Sequence, residues 1–160
     1  MMTKNITLSK TDKDDLNTLF QFQLDSDANY LAAFTPKDPT DKVAYIEKYS
    51  KFLTDPTINM MTIRMNDEIV GSISKFVMFG DNEITYWIDK KFWGKGIATN
   101  ALEIFLTIET NRPLFGRVAF DNFGSQKVLE KAGFTKIGDD KGFANARQTE
   151  IVEYIYKLSN

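Results

Sequence analysis

The hydrophobic pattern changes period along the chain, and the changes mark its elements. Ile6-Thr7-Leu8 alternates at two, the signature of a short half-buried strand. Leu16, Leu19, Phe20 and Gln23-Leu24 then recur at helical spacing, with Thr11 placed as the N-cap and Asp12 and Asp14 in the first turn. Asp25 to Asn29 reads as a polar break, Tyr30 to Phe34 as a further helical turn, and Thr35-Pro36-Lys37-Asp38-Pro39 as a loop. Thr40 or Asp41 caps a second long helix carrying Val43, Ala44, Ile46, Tyr49 and Phe52, which stops near Asp55-Pro56.

From Asn59 to Met65 the period returns to two. Asn66-Asp67 has the chemistry of a hairpin turn, and Glu68 to Val77 is the returning strand. Gly80-Asp81-Asn82 turns again into a strand over Glu83 to Ile88, which completes an antiparallel meander. Lys90-Lys91-Phe92-Trp93-Gly94-Lys95-Gly96 follows as a sharp turn. From Ile97 a helical face appears: Ile97, Ala98, Ala101, Leu102, Phe105 and Leu106.

After this helix, Leu114 to Phe120 is an apolar strand, and a strand–helix–strand succession of this kind requires a parallel right-handed crossover. Asp121-Asn122-Phe123-Gly124-Ser125 opens a last helix through Val128, Leu129 and Ala132. Gly133 takes the left-handed position at its end, with Phe134 as the apolar partner. Thr135 to Asp139 and Thr149 to Leu158 read as closing strands around a polar loop, Asp140 to Arg147. The fold class is therefore α/β (α+β): one domain over residues 1–160, with a mixed, mostly antiparallel sheet. A central parallel β-α-β unit sits in that sheet, and helices cover both faces.

Composition narrows the chemistry mainly through what is missing. The 160 residues include no cysteine and no histidine, which removes disulfides, thiolate nucleophiles, the Ser-His-Asp triad and the commonest metal ligands. Acid–base work must fall to Asp, Glu, Tyr, Lys, a backbone group or water, and no metal site is expected. A net charge of −2 argues against a general nucleic-acid binder. Met1 to Thr7 has no apolar leader segment and no later run could span a bilayer, so the expectation is a cytoplasmic protein with no membrane partner.

The glycine turn between Ile88 and Ile97 is a place to hold phosphate. Glycine lets the backbone come close, successive N–H groups point one way, and the helix start adds partial positive charge. The plainer alternative is a tight connection whose glycines serve chain geometry alone. A Walker A loop is excluded because no stretch supplies Gly-x-x-x-x-Gly-Lys-Ser/Thr. A Rossmann fingerprint fails as well. Thr99 stands where its third glycine belongs, and an antiparallel meander precedes the turn.

Lys91-Phe92-Trp93-Gly94-Lys95-Gly96 resembles the Gln/Arg-x-x-Gly-x-Gly/Ala pyrophosphate loop of the GNAT acyltransferases, with lysine in the first place. The longer run Phe92 to Leu102 is similar to the RimJ/RimL-like subgroup. A second block, Asn122-Phe123-Gly124-Ser125-Gln126-Lys127-Val128-Leu129-Glu130-Lys131-Ala132-Gly133-Phe134, resembles that subgroup's Asn-x-x-Ser-x-x-Val-Leu-Glu-Lys-x-Gly-Phe. The order of elements matches the GNAT fold over essentially the whole chain.

The resemblance implies an acetyl-CoA-dependent N-acetyltransferase that moves an acetyl group directly from the thioester to a primary amine, either a peptide N-terminus or a small molecule. Backbone groups of Trp87, Ile88 and Asp89 would pair with the pantetheine arm. The diphosphate would lie on the N–H groups of Trp93, Gly94, Lys95, Gly96, Ile97, Ala98 and Thr99. Lys90, Lys91 and Lys95 stand near it. Asn122, Ser125 and Lys131 are carried over to the cofactor side with them, Asn122 doubling as a helix cap and Ser125 having the alternative of lying idle in the first turn. Glu83 is the expected base, against the alternative of a solvated strand-end carboxylate, and Glu150 and Glu153 are weaker candidates. Many GNAT enzymes have a tyrosine where this chain has Leu129, which leaves Ser125, Tyr86 or water as the general acid, or none at all, since a CoA thiolate is a tolerable leaving group. Tyr30, Phe34, Phe20 and Phe143 are the aromatics expected near the acceptor. The protein is expected to be a monomer or homodimer. The competing reading is a GNAT-fold acyl-CoA-binding or regulatory module that has lost catalysis.

Overall fold

Strand side chains alternate between the faces of a sheet, and in the computed structural model, which describes residues 5–160, both faces are covered by helices. Residues 1–4, on which part of the expectation about a leader rests, lie outside the described residues. In chain order the elements are β1 (Ile6–Lys10), α1 (Asp15–Phe22), α2 (Ser26–Ala32), α3 (Lys42–Thr54), β2 (Asn59–Met65), β3 (Glu68–Met78) and β4 (Asp81–Ile88). After a 3-10 turn at Lys90–Phe92 come α4 (Ile97–Ile108), β5 (Leu114–Ala119), α5 (Phe123–Lys131), β6 (Thr135–Ala144) and β7 (Thr149–Leu158).

The seven strands form one sheet in the order β1-β2-β3-β4-β5-β7-β6. The β4–β5 pair is parallel and the other neighbours are antiparallel, as the meander and the single crossover require. On one face Val70, Ile73, Ile84, Val118 and Tyr156 meet Ile97, Leu102 and Phe105 of α4 and Leu129 of α5. On the other, Leu16 and Leu19 of α1 and Met60 of β2 pack with Tyr45, Ile46 and Tyr49 of α3. Among the described residues no helix is long and apolar enough to cross a membrane.

Several boundaries differ from the expectation, each for a local reason. Thr11 does not cap α1. Its hydroxyl accepts from Thr62 Oγ1 at 2.9 Å, and the helix starts at Asp15, whose Oδ2 takes the Asp12 N–H at 3.0 Å while Oδ1 meets Arg64 Nη2 at 3.2 Å. The supposed polar break at Asp25 to Asn29 is a helix start: Asp25 Oδ1 accepts the Ala28 N–H at 2.9 Å, as an N-cap does. The turn before β4 is made by Phe79 and Gly80, with φ of 52° and 82°, so the strand begins at Asp81 and Glu83 is its third residue. β6 runs on to Ala144, paired from Asp140↔Glu153 to Ala144↔Thr149, and the loop shrinks to residues 145–148. Polar residues there suit an edge strand with one neighbour.

Other expectations hold. Asp41 caps α3, accepting from the Ala44 N–H at 3.0 Å. Gly133, at φ 100°, ends α5, and the Phe134 N–H returns to Leu129 O at 3.0 Å while Phe134 is buried.

One feature of the sheet positions the site. β4 and β5 pair only at Glu83↔Phe115 and Ile84↔Gly116. Beyond Ile84 the two strands part: β5 continues against β7, and β4 runs to Ile88 with a partner on its β3 side alone.

Candidate active site

The gap between the parted strands leads to the glycine turn. Gly94 and Gly96 both have left-handed φ, 77° and 75°, which delivers the chain into α4 without a side-chain cap. The first intrahelical bond of α4 is Asn100 N–H to Gly96 O at 3.0 Å. The N–H groups of Ile97, Ala98 and Thr99 are therefore left without an intrahelical partner, and they face an anion-favouring helix start. An added Cβ at Gly94 would meet nothing within 4 Å, so the backbone there is open to a ligand. A cleft of about 560 Å³ follows, walled by Gly94, Gly96 and Thr99 on one side and by Asn122, Phe123 and Gly124 at the start of α5 on the other.

Strand alternation decides which main-chain groups of β4 face this gap. The Asp89 N–H is bonded to Val70 O at 2.9 Å, and the Trp87 carbonyl sits against Gly71, so both residues direct their peptide groups toward β3. Neighbouring residues point the other way. The main-chain groups that face the gap are those of Tyr86 and Ile88, while the backbone of Trp87 and Asp89, expected beside a pantetheine arm, is turned toward β3. The Ile88 carbonyl already accepts the Trp93 indole N–H at 2.9 Å, which fixes the turn to the strand end.

A second cleft, also about 560 Å³, opens on the α1/α3 face. It shares Ala32, Tyr86, Trp87, Asn122 and Ser125 with the first, so the two meet where β4 and β5 separate. At the junction Tyr86 Oη lies 2.7 Å from Ser125 Oγ. Burial pushes the Tyr86 hydroxyl up to about 12, against the lowering effect of the Ser125 bond. Asn122 caps α5 through Oδ1 to the Ser125 N–H at 3.3 Å and reaches Leu31 O with Nδ2 at 3.5 Å. Trp87 Nε1 is buried there with no hydrogen-bond partner among the described residues. Leu129 is a core residue against Gly116 and carries no polar group into the site.

Glu83 lines the second cleft and is 3% exposed. Burial raises its pKa, the Arg117 charge lowers it, and Asp81 and Glu153 raise it further. Arg117 stands 3.7 Å from Glu83 Oε1 through Nε and binds Glu153 at 2.9 Å and Asp140 at 3.5 Å through Nη1. Of the weaker base candidates, Glu153 reaches the cleft, and Glu150 lies outside its lining.

The lysines are less central than expected. Lys90 is hydrogen-bonded to Asp27 and so ties the turn to α2. Lys91 faces Glu68 at 3.7 Å, and Lys95 is exposed; neither lines the first cleft. Lys131, in the last turn of α5, lies at the far end of the helix from the cleft. Of the aromatics expected near the acceptor, Phe34 lines the second cleft. Phe20 is buried edge-on against Tyr45, Tyr30 lies under Arg147, and Phe143 is exposed on β6. Tyr45, Tyr49 and Phe52 of α3 supply the wall instead. Their spacing of four and three residues was the available signal. Arg117, a lone charge in an apolar strand, was another, since such a residue needs partners.

A family model described as an acetyltransferase (GNAT) domain matches residues 5–135. An uncharacterised N-acetyltransferase, p20, of Bacillus licheniformis is 25% identical over 99% of this chain and 94% of its own length. Among solved structures, a RimL ribosomal L7/L12 α-N-protein acetyltransferase in complex with coenzyme A superposes with a TM-score of 0.84 at 20% identity, covering 96% of this chain and 93% of that one. RimJ of Mycobacterium smegmatis, in complex with CoA-disulfide, gives 0.77 at 21% identity, with 96% and 81% covered. These likenesses confirm the fold, and the family match over most of the chain identifies the protein as an acyltransferase of the GNAT family.

Proposed function

We propose that the protein is an acetyl-CoA-dependent N-acetyltransferase, acting as one domain over residues 1–160 and acetylating a primary amine. The observation that supports this best is the meeting of two clefts at Tyr86, Trp87 and Ser125. One cleft ends at the glycine turn and helix start, and the other holds a buried carboxylate. CoA in the RimL and RimJ structures is consistent with the donor.

The N–H groups from Gly94 to Thr99 would hold the diphosphate, and the main-chain groups of Tyr86 with the Ile88 N–H the pantetheine arm. When bound, acetyl-CoA supplies an acetyl group activated as a thioester. The chain supplies orientation and proton management. Glu83 lies three strand residues from Tyr86, roughly 10 Å, so it takes the ammonium proton through water. Turnover removes two protons from the nitrogen and returns one to sulfur. Glu83 takes one nitrogen proton through water and releases it to solvent as the net proton, while the Tyr86–Ser125 pair, joined at 2.7 Å, gives one proton to sulfur and recovers the second nitrogen proton in its place. No covalent enzyme intermediate is required, in keeping with a chain lacking cysteine and histidine.

Calorimetric titration with acetyl-CoA, followed by thiol release over a panel of amines and peptides, tests the reading. Binding with turnover that collapses in Glu83→Gln is the expected result. Binding without turnover on any acceptor would favour a catalytically silent module, and absence of CoA binding would overturn both.

A further inference from the structure

The second cleft is asymmetric in a way that constrains the acceptor. Its β4–β5–β7 end carries Glu83 and Glu153, grouped with Asp140 around the single guanidinium of Arg117. Three carboxylates against one cation leave negative charge to spare. At the other end, over β2 and β3, α3 presents Tyr45, Tyr49 and Phe52, in tilted and edge-on contact with ring centroids 4.5 and 5.0 Å apart, with Phe22 and Phe76 also in the lining. The ends lie about two strand spacings apart, roughly 10 Å.

The far end also holds a cation and, among the described residues, has no anion in its lining. Lys48 Nζ lies 5.2 Å from the Tyr49 ring centroid and 5.8 Å from that of Phe52. A diamine or polyamine would set its second ammonium beside Lys48, which already occupies the cation-attracting faces of Tyr49 and Phe52 and repels a further positive charge there. A free amino acid would set its carboxylate, one carbon from the amine, against Glu83 and Glu153. Both are disfavoured electrostatically. A flat apolar body fits the rings, and burying it there is favourable in proportion to its area.

Resting on the N-acetyltransferase reading, we propose that the acceptor is a primary monoamine on an apolar aromatic body, an arylalkylamine in chemical class. Its ammonium lies toward Glu83 and Glu153 and its ring against Tyr45, Tyr49 and Phe52. Lys48 is the residue that excludes a second positive charge.

The test compares 4-phenylbutylamine, 1,8-diaminooctane and a hexapeptide with a free amino terminus. Amine binding is read by calorimetry without donor, and thiol release is read with acetyl-CoA. Wild type should bind and turn over the phenylalkylamine at least about tenfold better than the diamine or the peptide. Lys48→Glu, an exposed substitution, should narrow or invert the preference for the diamine, and Phe52→Ala should weaken phenylalkylamine binding without affecting acetyl-CoA affinity. Preference for the peptide or the diamine in wild type, or an unchanged ranking in Lys48→Glu, overturns the proposal. Failure to bind acetyl-CoA strikes the underlying reading instead, and the donor-free calorimetry then judges the aromatic pocket on its own.

Discussion

Arg117 Nε lies 3.7 Å from Glu83 Oε1, across two parallel strands whose pairing ends at Ile84↔Gly116. The contact sets the ionisation of the proposed base between two opposing forces. Burial favours the neutral carboxyl, and Arg117 favours the carboxylate. Removing the guanidinium in Arg117→Met should move the acid limb of the kcat/KM profile to higher pH. Arg117→Lys should shift it less. An unmoved limb in Arg117→Met would mean that Glu83 does not control the profile.

Glu83→Gln should lower kcat by about 10²–10³, the usual range for a general base. It should also change stability with a definite sign. A carboxyl whose folded pKa is raised contributes stability below its ordinary pKa and loses it as pH rises through the folded value. The melting temperature of Glu83→Gln relative to wild type should therefore climb from acid toward neutral pH, as measured by thermal denaturation across that range.

Tyr86→Phe and Ser125→Ala each break one hydrogen-bonded pair at the cleft junction. If the pair supplies the returning proton, each should cut kcat by about tenfold, and the double variant should be little worse than either. Additive losses would show that the hydroxyls act separately. Acetyl-CoA affinity, read by calorimetry, should be little changed in all three.

Gly71→Ala should disturb the site from the opposite side of β4. A Cβ at Gly71 would fall 2.1 Å from the Trp87 carbonyl oxygen, a backbone atom with no rotamer to change. The strand must shift, at a cost of about 1–3 kcal/mol. Chemical denaturation should show that loss together with weakened acetyl-CoA binding.

Arg147→Ala should loosen the wall shared by both clefts. Arg147 makes a bidentate pair with Asp121 at 2.9 Å and donates through Nε to Tyr30 O at 2.6 Å, holding α2 to the residue 145–148 turn. Loss of a charge-assisted pair with 5% side-chain exposure on one partner should cost about 1–3 kcal/mol. The hydrogen bond from Arg147 holds the Asp121 pKa low. That increment is present above the ordinary carboxylate range and vanishes as pH falls through the lowered value, so wild type and variant should converge in acid.

The meander, the crossover helix and the end of α5 were legible in the sequence because their signals are local: a period, a turn dipeptide, a glycine at a helix end. Asp25 is ambiguous in the sequence, since the same Asp-Ser-Asp chemistry serves a break or a cap, and the choice rests on where the next helix packs. Thr11 lost its capping role to a buried pairing with Thr62, 51 positions away. β6 was cut short because an edge strand can be as polar as a loop. At the site, the glycine turn was legible from its residues. The Tyr86–Ser125 pair, the setting of Arg117 among three carboxylates and the α3 wall were not, since each joins elements far apart in sequence.

The two-residue pairing of β4 with β5 also has a mechanical meaning. The sheet is two panels, one of four strands and one of three, joined along a seam two residues long. A donor seated in the gap would extend that seam by bonding the peptide groups of Tyr86 and the Ile88 N–H, and its binding free energy would add to the cohesion of the panels. Native-state hydrogen exchange should then be faster at those two amides than at their β4 neighbours bonded to β3 in the free protein. Saturation with CoA should slow it there and, because the panels would open together less often, across β5 and β7 as well.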